Sequence, residues 1–337
     1  PYTTLFRSEV KIRKRKIVLV GTGFVGMSFA YSLLSEKGIN ELVLIDMNKD
    51  KAVGEQMDLS DGLPYADSKM TIKAGDYEEC ADADIVVITA GAAQKPGQTR
   101  LELVGINARI TKDVATQVRM SGFSGILVVA SNPVDIMTYV AYRASGLPKE
   151  QVIGSGTILD TARLRYNISK RLGIAPSNVH AYIMGEHGDS SFVPWIHCYL
   201  GCKHLLEYID EEDNLTLEDL QNIYLEVRNA AYEIIDRKKA TYYGIGLALK
   251  RLISCLLNDE KAILTVSTYQ NNEYGREGYY IGTPAVVGSN GVEKIIKLPL
   301  NEMDQNKFNH SFDTLKQTIE ENLQEVLADR SEERRVG

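Results

Sequence analysis

Gly21-Thr22-Gly23-Phe24-Val25-Gly26 follows the apolar run Lys16–Val20 (KIVLV) and opens a segment of helical period, Phe24–Ser35. A G-x-G-x-x-G pattern alone is weak. Between a strand and a helix it reads as a phosphate-binding turn. Gly21 permits the tight turn, Gly23 lets the backbone approach a pyrophosphate, and Gly26 lets the helix pack close to the strand. The N–H groups at the helix start then offer a positive dipole end to phosphate. Asp46 ends the second apolar run, twenty residues after Gly26. A carboxylate there accepts hydrogen bonds from ribose hydroxyls and repels a 2′-phosphate, which favours NAD over NADP.

Further runs extend the pattern. Glu41–Ile45, Asp84–Thr89 and Gly125–Val129 are short and predominantly apolar, with helical patterns at Arg100–Ser121 between the second and third and at Pro133–Ala144 after the third. Runs buried on both faces and alternating with helices predict a parallel sheet covered by helices. After about Gly154 the texture changes. Helical patterns cover Thr161–Leu172, Thr216–Leu257 and Asp304–Leu327, and strands are predicted at Tyr279–Val287 and Lys294–Leu298. The expected fold class is α/β: a Rossmann-type doubly wound parallel sheet at 16–154, followed by a mixed α+β substrate domain at 155–329. Residues 1–10 and 330–337 are set aside as non-native or disordered ends. Pro1–Ser8 and Ser331–Gly337 show neither period and read like translated sequencing adapter.

Composition narrows the function classes. The chain has 337 residues, 44% hydrophobic and 25% charged, with a net charge of -7. That balance fits a globular chain with a full core. The acidic background gives nucleic-acid binding little electrostatic support. No apolar stretch reaches the length of a bilayer span, and no apolar region of signal-peptide type follows the basic run Lys11–Lys16. The four cysteines form no CxxC pair, so reduced thiols in a cytoplasmic protein are expected.

Three segments carry residue types suited to reducing a 2-keto acid, which needs a cation for the carboxylate, a polarising group at the carbonyl and a general acid. Asp160 and Arg163 are three apart on one helix face, and Arg163 can pair two-pronged with a carboxylate. Taken alone, such a pair is more often an ordinary helix ion pair. His187 lies in the glycine-flanked run Gly185–Ser190 (GEHGDS); alone it fits a surface histidine as well as a proton donor. Gly91–Arg100 (GAAQKPGQTR) reads as a closing loop ending in Arg100, with a plain surface loop as the alternative.

Together these residues resemble the lactate/malate dehydrogenase family, in particular its L-lactate branch, from about Lys16 to Leu327. The motifs are Gly21–Gly26, Gly91–Arg100, Ser131–Tyr139 (SNPVDIMTY), Gly154–Arg163 (GSGTILDTAR), Gly185–Ser191 (GEHGDSS) and Lys239–Gly246 (KATYYGIG). The resemblance implies His187 as catalytic acid/base, Asp160 as its orienting carboxylate, Arg163 as substrate clamp and Arg100 as the loop arginine at the carbonyl. It implies substrate contacts from Asn132 and Thr241. Cofactor contacts are implied at Val25, Asp46, Lys51, Tyr77, Gly91, Ala92, Ala130, Asn132 and Ile245, beside the glycine loop. Gln94 stands where the malate branch has arginine; glutamine cannot neutralise a second carboxylate, which favours pyruvate over oxaloacetate. Arg165 and His180 match a fructose 1,6-bisphosphate site between subunits, and a cytoplasmic homotetramer acting in glycolytic fermentation is implied. Phe192–Ile196 and Gln98 depart from the family's usual residues, which touches kinetics and loop closure more than reaction type. His197, Cys198, Cys202 and His204 mimic a metal cluster, but the family chemistry needs none and no metal is expected. Competing readings are another 2-hydroxy acid (branched-chain or malate), an NAD-requiring glycosidase, and a non-catalytic NAD-binding protein.

Overall fold

The computed structural model describes residues 15–92, 100–209 and 215–328. The set-aside ends and Gln94 lie outside them, as does the side chain of Arg100. The first half runs β1 (Lys16–Val20), α1 (Phe24–Leu33), β2 (Glu41–Ile45), α2 (Lys49–Gly62), β3 (Thr71–Ala74), β4 (Ile85–Ile88), α3 (Arg100–Met120), β5 (Ile126–Val129), α4 (Val134–Ser145) and β6 (Val152–Gly154). The second runs α5 (Ile158–Leu172), β7 (Val179–His180), β8 (Tyr199–Leu200), β9 (Lys203–His204), α6 (Leu217–Lys238), α7 (Tyr243–Leu257), β10 (Ala262–Asn271), β11 (Glu277–Gly288), β12 (Gly291–Ile295) and α8 (Glu302–Asn322).

Six parallel strands take the spatial order β6-β5-β4-β1-β2-β3. This is the doubly wound order, and ligands bind where it reverses, outside the carboxyl ends of β1 and β4. All five residues of β1 are buried. Ile17 and Leu19 enter one hydrophobic cluster and Val18 and Val20 the opposite one. Alternate side chains therefore feed both helix layers, which is why these runs are apolar after their first residues.

The reversal point also explains two glycines. Gly21 has φ +105, and a Cβ there would lie 2.6 Å from the Ala90 backbone nitrogen. A Cβ on Gly26 would meet the Gly21 carbonyl oxygen at 2.1 Å. Neither position accepts a side chain without moving backbone.

The second half differs from a self-contained α+β unit. β10, β11 and β12 extend the main sheet as antiparallel strands, with β10 meeting β6 at Ser267 and Gly154. One nine-stranded sheet of described residues thus crosses both halves. The helical pattern predicted over Thr216–Leu257 divides into α6 and α7, because Lys239 takes φ 69 and ends α6. The helix predicted over Asp304–Leu327 begins two residues earlier, at Glu302 behind an Asn301 cap, and it breaks at Leu323, leaving a separate short helix at Gln324–Leu327. A third hydrophobic cluster packs α5 and α6 against β7 and β8 through Leu164, Ile168, Val179 and Val227. Among the described residues no helix is long and apolar enough to cross a membrane.

Candidate active site

A cleft of about 620 Å³ opens beside the reversal point. It gathers Gly23, Val25, Gly91, Ala92, Ala130 and Asn132 from the first half. The second half supplies Asp160, Arg163, His187 and Thr241. Residues more than two hundred positions apart in the chain therefore share one cavity.

Asp160 and Arg163 stand in the first turns of α5, whose opposite face buries Leu164 and Ile168. The amphipathic helix thus aims its charged face at the cleft. Asp160 bridges the other two groups: its Oδ2 lies 2.6 Å from His187 Nδ1, and its Oδ1 accepts from Arg163 at 3.2 Å. A carboxylate only accepts, so Nδ1 carries the proton and Nε2 is left for a substrate. The Asp160 charge raises the His187 pKa from 6.5 to about 9, against the opposing effect of burial. Burial pushes Asp160 up, but His187 and Arg163 outweigh it and hold the carboxyl below its usual range.

This electrostatics fixes a pH profile. A reaction that draws its proton from His187 should show kcat/KM flat at neutral pH and falling as pH rises through about 9. Asp160→Asn removes the largest raising influence, so the descending limb should move to lower pH. A limb that stays in place in the variant sinks the assignment.

The phosphate turn is braced separately. Asp46 accepts from the Thr22 N–H at 2.8 Å, the Thr22 hydroxyl at 2.9 Å and the Asn48 N–H at 2.9 Å. Burial raises the Asp46 pKa, but those donors outweigh it and keep the group ionised. Lys51 Nζ donates to the Thr22 carbonyl at 2.5 Å. Gly23 caps α1 without a side chain, so the first N–H groups of that helix face the cleft uncapped. An uncapped helix start, a glycine turn and a braced carboxylate fit the pyrophosphate and ribose of NAD. Tyr77 and Ile245 do not line the cleft; they pack half-buried against the two sheet-flanking clusters.

Arg165 and His180 also lie outside the cleft. Arg165 Nε donates to the Ala181 carbonyl at 3.0 Å, and His180 is exposed on β7. His197 and His204 each place Nε2 on a backbone carbonyl, of Pro299 and Ile196.

The structure adds residues that sequence reasoning missed. Asn107 on α3 is buried; it accepts from the Ala92 N–H at 2.8 Å and donates to the Asn132 carbonyl at 2.9 Å. One amide thereby fixes two loops of the cleft. A polar residue on the buried face of a helix was the available signal. Tyr224, Val227, Arg228 and Ala231 form the cleft wall contributed by α6. The Tyr224 hydroxyl donates to the Ser191 carbonyl, tying that wall to the His187 loop.

Comparison with known proteins places this geometry. Residues 15–154 match the model of the lactate/malate dehydrogenase NAD-binding domain, and residues 157–326 match that of the family's alpha/beta C-terminal domain. The chain belongs to the lactate/malate dehydrogenase family. It is an NAD-dependent oxidoreductase of that family. Among its relatives is an L-lactate dehydrogenase of Lactococcus lactis subsp. cremoris, 52% identical over 92% of this chain and 99% of the relative. A lactate dehydrogenase from a Medee basin deep-sea metagenome superposes with a TM-score of 0.89 at 53% identity, covering 92% of this chain and 99% of the other. The minor L-lactate dehydrogenase of Enterococcus mundtii, in its ligands-bound form, gives a TM-score of 0.89 at 50% identity, over 91% and 98%.

Proposed function

We propose that this family member catalyses the reversible NADH-dependent reduction of pyruvate to (S)-lactate, with His187 as the acid/base. The observation that carries the reading is the Arg163–Asp160–His187 chain in one cleft, with His187 Nδ1 2.6 Å from Asp160. Arg163 holds the substrate carboxylate. Asn132 donates to the substrate oxygen, and Thr241 lines the pocket. His187 Nε2 delivers a proton to the carbonyl oxygen, while Asp160 stabilises the imidazolium beforehand. Bound NADH supplies the hydride. Gly21, Gly23, Gly26, Val25, Asp46 and Lys51 hold that cofactor, with Tyr77, Gly91, Ala92, Ala130 and Ile245 around it. The L-lactate dehydrogenases at about half identity support the substrate assignment.

Gln94 and Arg100 keep the roles their residue types suggest, pocket selectivity and carbonyl polarisation. Residues 16–154 and 155–329 are read as the cofactor and substrate units, a division supported by the two family matches. Arg165 and His180 are assigned to fructose 1,6-bisphosphate between subunits of a cytoplasmic homotetramer. The placing of Arg165 on the Ala181 carbonyl, one residue after His180, supports that pairing.

A second reading, oxaloacetate, has one observation in its favour: Arg228, on the α6 wall, lines the cleft and can meet a second carboxylate. NADH oxidation with pyruvate, oxaloacetate and a branched-chain keto acid, each with and without fructose 1,6-bisphosphate, separates the readings. Pyruvate should exceed oxaloacetate in kcat/KM by roughly 100-fold or more, since an unpaired buried carboxylate costs about 3–5 kcal/mol. Fructose 1,6-bisphosphate should lower the KM for pyruvate. Preference for oxaloacetate overturns the substrate assignment, and indifference to the bisphosphate overturns the activator site.

A further inference from the structure

Three consecutive N–H groups lead into the imidazole of His187, and three different elements hold them. The Gly185 N–H donates to the Gly282 carbonyl on β11 at 3.0 Å. The Glu186 N–H donates to the Ser311 hydroxyl on α8 at 2.7 Å. The His187 N–H donates to Asp135 Oδ2 on α4 at 2.8 Å. Of these holders only Asp135 comes from the first half of the chain, and only Asp135 can carry a charge. Its second oxygen accepts from the Ser267 hydroxyl on β10 at 2.6 Å.

Asp135 is 1% exposed, which makes it an expensive residue for a position whose visible task is to accept two hydrogen bonds. A neutral acceptor would serve that task without desolvating a charge. Burial raises the Asp135 pKa to about 6, while Ser267 and the His187 N–H pull it back down. The group is therefore mainly ionised at neutral pH. It faces Glu186 and His187, and its charge adds to that of Asp160 in favouring the imidazolium, against Arg163.

We infer that Asp135 is a positioning residue for the proton donor: its carboxylate anchors the His187 main chain from the cofactor half and biases the imidazole toward its protonated form. The inference rests on the acid/base role proposed for His187. It adds a second acid to that role, one that acts through the backbone where Asp160 acts on the ring. It also links the two halves, because α4 follows directly on the Asn132 segment of the cleft. A shift of α4 therefore moves the cleft-lining Asn132 and the support of His187 together.

Two variants test this. Asp135→Ala should lower kcat for pyruvate reduction by about 100-fold, with the pyruvate KM and the NADH affinity changed less than about threefold, because a misplaced proton donor costs rate rather than binding. Asp135→Asn keeps an acceptor for the His187 N–H and a donor for Ser267. It should recover kcat to within about tenfold while moving the descending alkaline limb down by about one pH unit, the effect of losing one nearby negative charge. The His187 ring titration, followed by proton NMR in the substrate-free protein and assigned by its loss in His187→Asn, should show the same displacement. That readout separates the two ideas. A wild-type protein inactive on pyruvate refutes the reaction, and an NMR titration identical in wild type and Asp135→Asn refutes the inference. Wild-type kcat in a folded Asp135→Ala protein also overturns it, and if that variant fails to fold, the Asp135→Asn titration decides.

Discussion

Replacing His187 with asparagine should lower kcat for pyruvate reduction by roughly 10²- to 10⁴-fold, the range a positioned general acid contributes. Asparagine occupies similar space and its side chain can still donate to Asp160, so the loop has no reason to collapse. NADH binding, followed by fluorescence, should therefore stay near wild type. The residual rate should also lose its alkaline limb, because the group responsible for it is gone. The electrostatic cause is specific. Asp160 sits 2.6 Å from His187 Nδ1 and raises the ring pKa to about 9, so at neutral pH the imidazole is charged before substrate arrives. A variant that retained kcat, or retained the limb, would place the proton donor elsewhere in the cleft.

Arg163→Ala should reduce kcat/KM for pyruvate by roughly two to four orders of magnitude, from about 3–5 kcal/mol lost with a desolvated charge clamp. The arginine serves two partners. It faces the cleft, where the proposed function places the substrate carboxylate, and it pairs with Asp160 at 3.2 Å. Its charge also opposes protonation of His187, so its removal should move the alkaline limb upward as efficiency falls. Arg163→Lys keeps the positive charge but loses the flat two-pronged donor, and should fall between alanine and wild type. Saturation kinetics with pyruvate across the three proteins checks the order. Near-normal efficiency in Arg163→Ala would remove the substrate-clamp assignment.

Legibility in the sequence followed burial. The strands β1, β2, β4 and β5 stand out because both faces are covered, leaving unbroken runs of valine, isoleucine and leucine. Strand β10 (AILTVSTYQN) is longer than any of these and passed unrecognised. Its Thr265, Ser267, Thr268 and Gln270 are buried, yet three of them bond Thr161, Asp135 and Thr283 across the fold. A buried strand that satisfies its polar groups through tertiary partners shows neither an apolar run nor alternation. The break between α6 and α7 was hidden for a related reason. Lys239 adopts the left-handed conformation without a glycine or proline to announce it.

The cleft divides along the same line. Several of its members were readable because their chemistry is local: a glycine turn with an aspartate twenty residues on, an aspartate and arginine on one helix face, a histidine between glycines. Membership in the lactate/malate dehydrogenase family follows from those motifs taken together. Asn107, Asp135 and the α6 wall were not readable, since nothing near them in the chain reveals what they touch. The spacing of Tyr224, Val227, Arg228 and Ala231 specifies one face of a helix, but only packing against the His187 loop decides that this face borders the cleft. The sequence by itself determined which groups are present and which local elements carry them. The tertiary structure decided that Asp160 stands between Arg163 and His187, and that a buried aspartate from the other half holds the histidine's backbone. Hydrogen bonds spanning tens to hundreds of residues depend on how distant elements close against each other, and no local pattern encodes that closure.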